Sequence, residues 1–190
     1  MTIFVDGFQN TGKTTLINGC KYRHNRFPFN QYLDLFGLGK EDMNGFQLAK
    51  DLGIMFGLQY SKETLVLDRG PFSTVFYSLK ENRYGDKTAE TMMAFLKEIS
   101  SFKGFGYVFV VKKNAPLSLE RKHGDGFDYL DDENDVSKLA LLESIVEAAK
   151  KIGIEVKIFE NDFSLKIKQN LHKFNKLIEE LSNEHYGNKD

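Results

Sequence analysis

The sequence predicts an α/β fold, a parallel sheet of about five strands with helices on both faces, and three observations lead there. Short apolar runs rich in β-branched and aromatic residues recur at 2–5, 65–67, 107–111 and 156–159. Segments with helical patterning separate them, near 42–60, 72–101, 135–151 and 163–183. These segments are long enough to serve as the crossovers that parallel strands require, each about a dozen residues or more.

In chain order, the run at 2–5 ends in Asp6-Gly7, passes a glycine-bearing turn and gives way to a helix opening at Thr14. The stretch 21–40 carries the weakest pattern, with a short second strand expected near 27–33. A helix over 42–60 then leads to the strand 65–67, which ends in the acid Asp68. Pro71 opens the next helix, and Pro28 and Pro116 also fall where elements begin or turn. After the strand 107–111 comes a glycine-flanked, basic segment at about 117–132 that reads as a lid. The chain closes with helix, strand and helix, and a polar tail expected to fray from about 184 to 190.

The 190 residues are 41% hydrophobic and 28% charged, which suits one domain over 1–190 and excludes disorder over most of the chain. The 26 Lys+Arg nearly cancel 27 Asp+Glu, so net charge does not mark a nucleic-acid-binding protein. No window approaches the ~20 apolar residues of a membrane span, and MTIFVDG lacks the charged and apolar stretches of a signal peptide. The expectation is a soluble protein of a reducing cytoplasm, with its one cysteine, Cys20, as a small buried side chain. The four histidines show no metal-ligand spacing with one another or with Cys20, so no zinc is expected.

GFQNTGKT at 7–14 matches GxxxxGK[ST] in full. A chance match in a chain of this length is roughly a one-in-a-hundred event. The match follows a strand and opens a helix, so backbone N–H groups and the helix dipole converge on one anion. Gly7, Asn10, Thr11, Gly12, Lys13, Thr14 and Thr15 are therefore the expected ATP-binding residues. Lys13 would reach the β and γ phosphates and the Thr14 hydroxyl would ligate Mg²⁺. Asp68, at the strand end where open α/β sheets bind ligands, is the second expected metal ligand. Many P-loop ATPases follow that acid with a glutamate that activates water, whereas here Arg69 follows. A guanidinium cannot take a proton but its fork grips phosphate oxygens, which favours phosphoryl transfer over hydrolysis. An Asn-Lys-x-Asp motif is missing, which argues against a GTPase.

These motifs together resemble the thymidylate kinase-like group of P-loop kinases, which includes the deoxynucleoside kinases. GFQNTGKTT is similar to that family's phosphate loop, LDRGPFSTVFYS to its DR motif and APLSLERKHGD to the segment opening its lid. The resemblance implies a three-layer P-loop kinase fold and catalytic roles for Lys13, Asp68, Arg69 and Arg121. FQLAK resembles the family's Phe-x-x-x-Arg, which implies that Phe46 stacks on an acceptor base and Lys50 reads its carbonyl. Phe46 fits a helix core equally well. The chain departs from the family in carrying Gln9 where an acid usually meets the sugar, Gly70 where a tyrosine or histidine follows Asp-Arg, and Lys50 for arginine. Family members are often dimers, which makes a homodimer compatible with the resemblance.

Between 25 and 40 the chain has no glutamate to act as a base toward an acceptor hydroxyl. Arg26, with Arg69, is placed to offset an acceptor that already carries phosphate, so a deoxynucleoside monophosphate is the favoured acceptor. A kinase acting on a hydroxyl of a nucleic acid or modified base, with KYRHNR at 21–26 on the phosphate backbone, is the alternative, as is a deoxynucleoside kinase.

Overall fold

A computed structural model of the chain describes residues 1–8, 11–26, 49–55, 63–81, 86–100, 104–114 and 136–187. Its first half holds β1 (Thr2–Gly7), α1 (Lys13–Asn18), β2 (Arg23–Arg26), β3 (Leu65–Asp68) and α2 (Pro71–Glu81). Then come α3 (Asp86–Glu98), β4 (Phe105–Lys113), α4 (Val136–Lys151), β5 (Val156–Asp162) and α5 (Ile167–Gly187). Residues 49–55 are also helical.

The strands form one sheet in the order β2-β3-β1-β4-β5, parallel throughout. β1 is central: Thr2 pairs with Leu65 on one side and Phe105 on the other. Being buried on both faces, it is apolar at every position up to Val5 except Thr2. Its side chains alternate between two cores. Ile3 and Val5 join Leu16, Ile17, Phe174 and Ile178 on the side of α1 and α5. Phe4 joins Phe72, Phe76, Met92 and Leu142 on the side of α2, α3 and α4. Each fully buried phenylalanine contributes about 1.5–3 kcal/mol of transfer free energy, and Phe4, Phe72, Phe109 and Phe174 are all of this kind.

The chain leaves β1 toward β2 on one side and leaves β4 toward β5 on the other. That reversal opens a crevice outside the carboxyl ends of β1 and β4, the place where such sheets bind ligands. The glycine motif at 7–14 begins there, at the end of β1.

Several elements differ from the sequence expectations. The second strand is Arg23–Arg26, ahead of the expected 27–33, which lies outside the described residues. Only 49–55 of the expected helix 42–60 is described, and it is helical. The single helix expected over 72–101 is two, α2 and α3. α5 runs on to Gly187, so residues 184–187 of the tail expected to fray are helical, and 188–190 lie outside the described residues. Cys20 is buried as expected, but just past α1, which ends at Asn18. Among the described residues no helix is long and apolar enough to cross a membrane.

Candidate active site

The two loop glycines occupy backbone conformations that side chains disfavour, φ +149° at Gly7 and +78° at Gly12. Space excludes a side chain at both: a Cβ on Gly7 would strike the Val110 carbonyl oxygen, and one on Gly12 the amide of Asn161. The loop is held in shape by its own polar groups. Thr11 Oγ1 donates to the Phe8 carbonyl at 3.0 Å. Asn161, at the carboxyl end of β5, donates through Nδ2 to the Thr11 carbonyl at 2.8 Å. Lys13 is buried, and its ammonium donates to the Phe8 carbonyl and to Thr11 Oγ1, the latter at 3.3 Å. Those acceptors are neutral, so a phosphate oxygen, forming a charge-assisted bond, competes well for the same ammonium. Gly12 provides no side-chain cap for α1. Thr14 is half-buried and Thr15 exposed.

Parallel register sets Asp68 beside Val5, two residues before Gly7, and sets Arg26 beside Asp68. Alternation along β3 puts Asp68 on the sheet face of Val66, the face that α1, whose second residue is Thr14, covers with Leu16 and Ile17. An acid and a hydroxyl on one face beside a phosphate loop suit Mg²⁺, a hard cation that takes oxygen ligands. The backbone then turns sharply. Arg69 has φ +70°, a left-handed conformation that costs a side-chain-bearing residue about 1–3 kcal/mol. Its N–H donates to the Val5 carbonyl at 3.0 Å, and its guanidinium lies over the Tyr77 ring, 5.5 Å from the centroid. A Cβ on Gly70 would come within 2.7 Å of the Phe4 Cβ, so packing accounts for glycine at this departure from the family pattern.

Two buried carboxylates face this turn. Asp6 Oδ1 accepts the N–H of Gly70 at 2.7 Å and of Ser73 at 3.0 Å. Burial pushes the Asp6 pKa up, against the opposing effect of these bonds and the Ser73 side chain, and the negative charge of Asp51 adds to the rise. Asp51 accepts the Thr74 hydroxyl at 2.6 Å and pairs with the Lys50 ammonium at 3.1 Å. Lys50 is thus bound to an acid of its own helical turn, 11% exposed, beneath the start of α2.

The structure brings Gly7, Thr11, Gly12, Lys13, Thr14, Asp68 and Arg69 to one end of the sheet. Arg26 shares that edge through its backbone. Gln9, Asn10, Phe46, Arg121 and the lid segment 117–132 lie outside the described residues. Sequence reading passed over Asp6, Asn161 and Tyr77. A signal existed for Asp6: strand alternation places it on the buried Phe4 face, where an acid needs a reason. Asn161 had only the weaker signal of a polar residue at the carboxyl end of an apolar strand.

No family model matches the chain. No curated protein matches it either. Among solved structures, thymidylate kinase from Candida albicans is similar with a TM-score of 0.57 at 19% identity, over 97% of this chain and 92% of that one. The NadR protein, in a complex with NR, is similar with a TM-score of 0.52 at 17% identity, over 99% of this chain. The match covers 52% of NadR, so the chain spans about half that protein's length. At these identities the agreement is one of fold, an all-parallel α/β sheet with helices, as the strand and helix pattern of the sequence predicts.

Proposed function

We propose that the chain is an ATP- and Mg²⁺-dependent nucleotide kinase acting on a deoxynucleoside monophosphate in a reducing cytoplasm. The observation that carries this reading is the buried Lys13, inside a glycine-built phosphate loop, at the same sheet edge as the Asp68-Arg69 turn. Thr14 and Asp68 would hold Mg²⁺, which when bound neutralises charge on the β and γ phosphates. Lys13 binds those phosphates. Arg69 and Arg121 grip oxygens of the transferring group as an acceptor oxygen bonds to the γ phosphorus and the bond to the β-γ bridging oxygen breaks, releasing ADP. An arginine in place of a water-activating glutamate supports transfer over hydrolysis. The fold shared with thymidylate kinase supports the same reading.

Arg26, level with Asp68, supports a phosphorylated acceptor. Phe46 would stack on its base and Gln9 would lie near its sugar. A second reading, phosphorylation of a hydroxyl in a nucleic acid, draws on β2 itself, RHNR, which carries two arginines on the outermost of the described strands.

Lys13→Ala is expected to abolish ADP formation while leaving the thermal transition within a few degrees. Wild-type kcat in that variant would sink the reading. The acceptor is decided by ADP release with a matched deoxynucleoside monophosphate, deoxynucleoside and oligonucleotide at two salt concentrations. Turnover requiring the monophosphate is expected. Turnover with the oligonucleotide alone, weakening steeply with salt, would establish the nucleic-acid reading.

A further inference from the structure

Helix α2 begins at Pro71, directly after Gly70, a residue with no side chain to cap the free N–H groups of its first turn. The cap comes from a different element. Asp6 Oδ1 accepts the N–H of Gly70 and the N–H of Ser73, the third residue of the helix. Asp6 is 1% exposed and shares its sheet face with Phe4 and Phe109, so an apolar side chain would be the cheaper occupant on burial alone.

The position matters because of what lies between its contacts. Arg69 is anchored on both sides by consecutive residues of β1: its own N–H meets the Val5 carbonyl, and the next N–H meets Asp6. A strained φ persists only where the surroundings over-determine it, and these two bonds do that. The same carboxylate seats α2, and one turn beyond Ser73 that helix presents Tyr77, the ring beneath the Arg69 guanidinium. Backbone and platform of one arginine therefore depend on one acid.

We propose that Asp6 is a positioning residue for Arg69, holding the arginine turn and the start of α2 in the geometry that phosphoryl transfer uses. The kinetic part of this rests on the function proposed above; the structural part does not. Asp6→Leu removes the acceptor while keeping similar bulk, and Asp6→Asn keeps the acceptor. In Asp6→Leu, amide exchange across 69–77 should rise about tenfold or more, with the remaining sheet unchanged, and Asp6→Asn should exchange as wild type does. With turnover established, Asp6→Leu should lower kcat at least about tenfold at an unchanged KM for ATP, Asp6→Asn should restore most of it, and Asp6→Leu should cost less than about twofold more in an Arg69→Ala background.

Faster exchange spread over the whole sheet, or an undiminished loss in the Arg69→Ala background, would overturn the proposal in favour of general stability. If Asp6→Leu does not fold, Asp6→Ser, too short to span both N–H groups, replaces it under the same criteria. A wild-type protein that forms no ADP with any acceptor counts against the kinase reading, and the exchange data alone then decide whether Asp6 governs the turn.

Discussion

Arg69 combines a left-handed backbone, a stacked guanidinium and a neighbouring glycine that tolerates no side chain. Strain of this kind collects where geometry serves chemistry. Arg69→Ala is expected to lower kcat by about 10²-fold or more with little change in KM, because the guanidinium acts most strongly as charge shifts in the transition state. Steady-state kinetics against ATP checks this; a change confined to KM would reduce Arg69 to a binding residue. The glycine motif at 7–14 was legible in the sequence because it is one unbroken run of residues that encodes local backbone chemistry. Asp6 and Asn161 were not, because their partners lie far along the chain: Asn161 grips Thr11 and Asp6 grips Gly70 and Ser73. Spacing alone carries no signal of such pairings.

The interior strands announced themselves by apolar runs because both of their faces are covered. β2 escaped that logic. Among the described strands it has only β3 beside it, its Arg23 and His24 are exposed, and so it needs no apolar alternation. Helical periodicity likewise ran from α2 into α3 without revealing where one stops. α2 is the element on which most depends. Its Phe76 is buried and packs its ring 4.9 Å from that of Phe8, the second residue of the phosphate loop, and 5.4 Å from Tyr77. Phe8 in turn meets Phe109 of β4 at 5.1 Å. Phe76→Ala should cost about 3–5 kcal/mol by urea denaturation, the usual range for a buried aromatic. It should also weaken ATP binding, which titration calorimetry would measure, since the loop loses the ring its Phe8 rests on. Full affinity in a folded Phe76→Ala protein would show the loop to be independent of α2.

For the molecule as a whole, two acids pull its pH dependence in opposite directions. Burial raises the pKa of Asp6 above its ordinary 3.8, so between that value and the raised one the folded state holds a proton that the unfolded state has lost. Its contribution is full below the ordinary value and is lost as pH rises through the raised one. Hydrogen bonds from Ser164 and Asn114 instead lower the pKa of Asp162, whose exposed contribution is present at neutral pH and is lost in acid. Asp6→Asn should therefore flatten the decline in thermal stability on the alkaline side of the carboxylate range, in melting curves recorded across pH; an unchanged profile would assign that slope to other groups. The central place of β1 also governs how the chain reaches this state. Its Thr2 pairs with Leu65 and with Phe105, and the segment just past α1 is joined to α5 through the bond of the Lys21 N–H to Asn175. On a ribosome, β1 thus waits for its neighbours and for the cover of α5 while the residues between them are made. Such distant pairings make for slow folding, and a long-exposed apolar strand is a surface that chaperones bind.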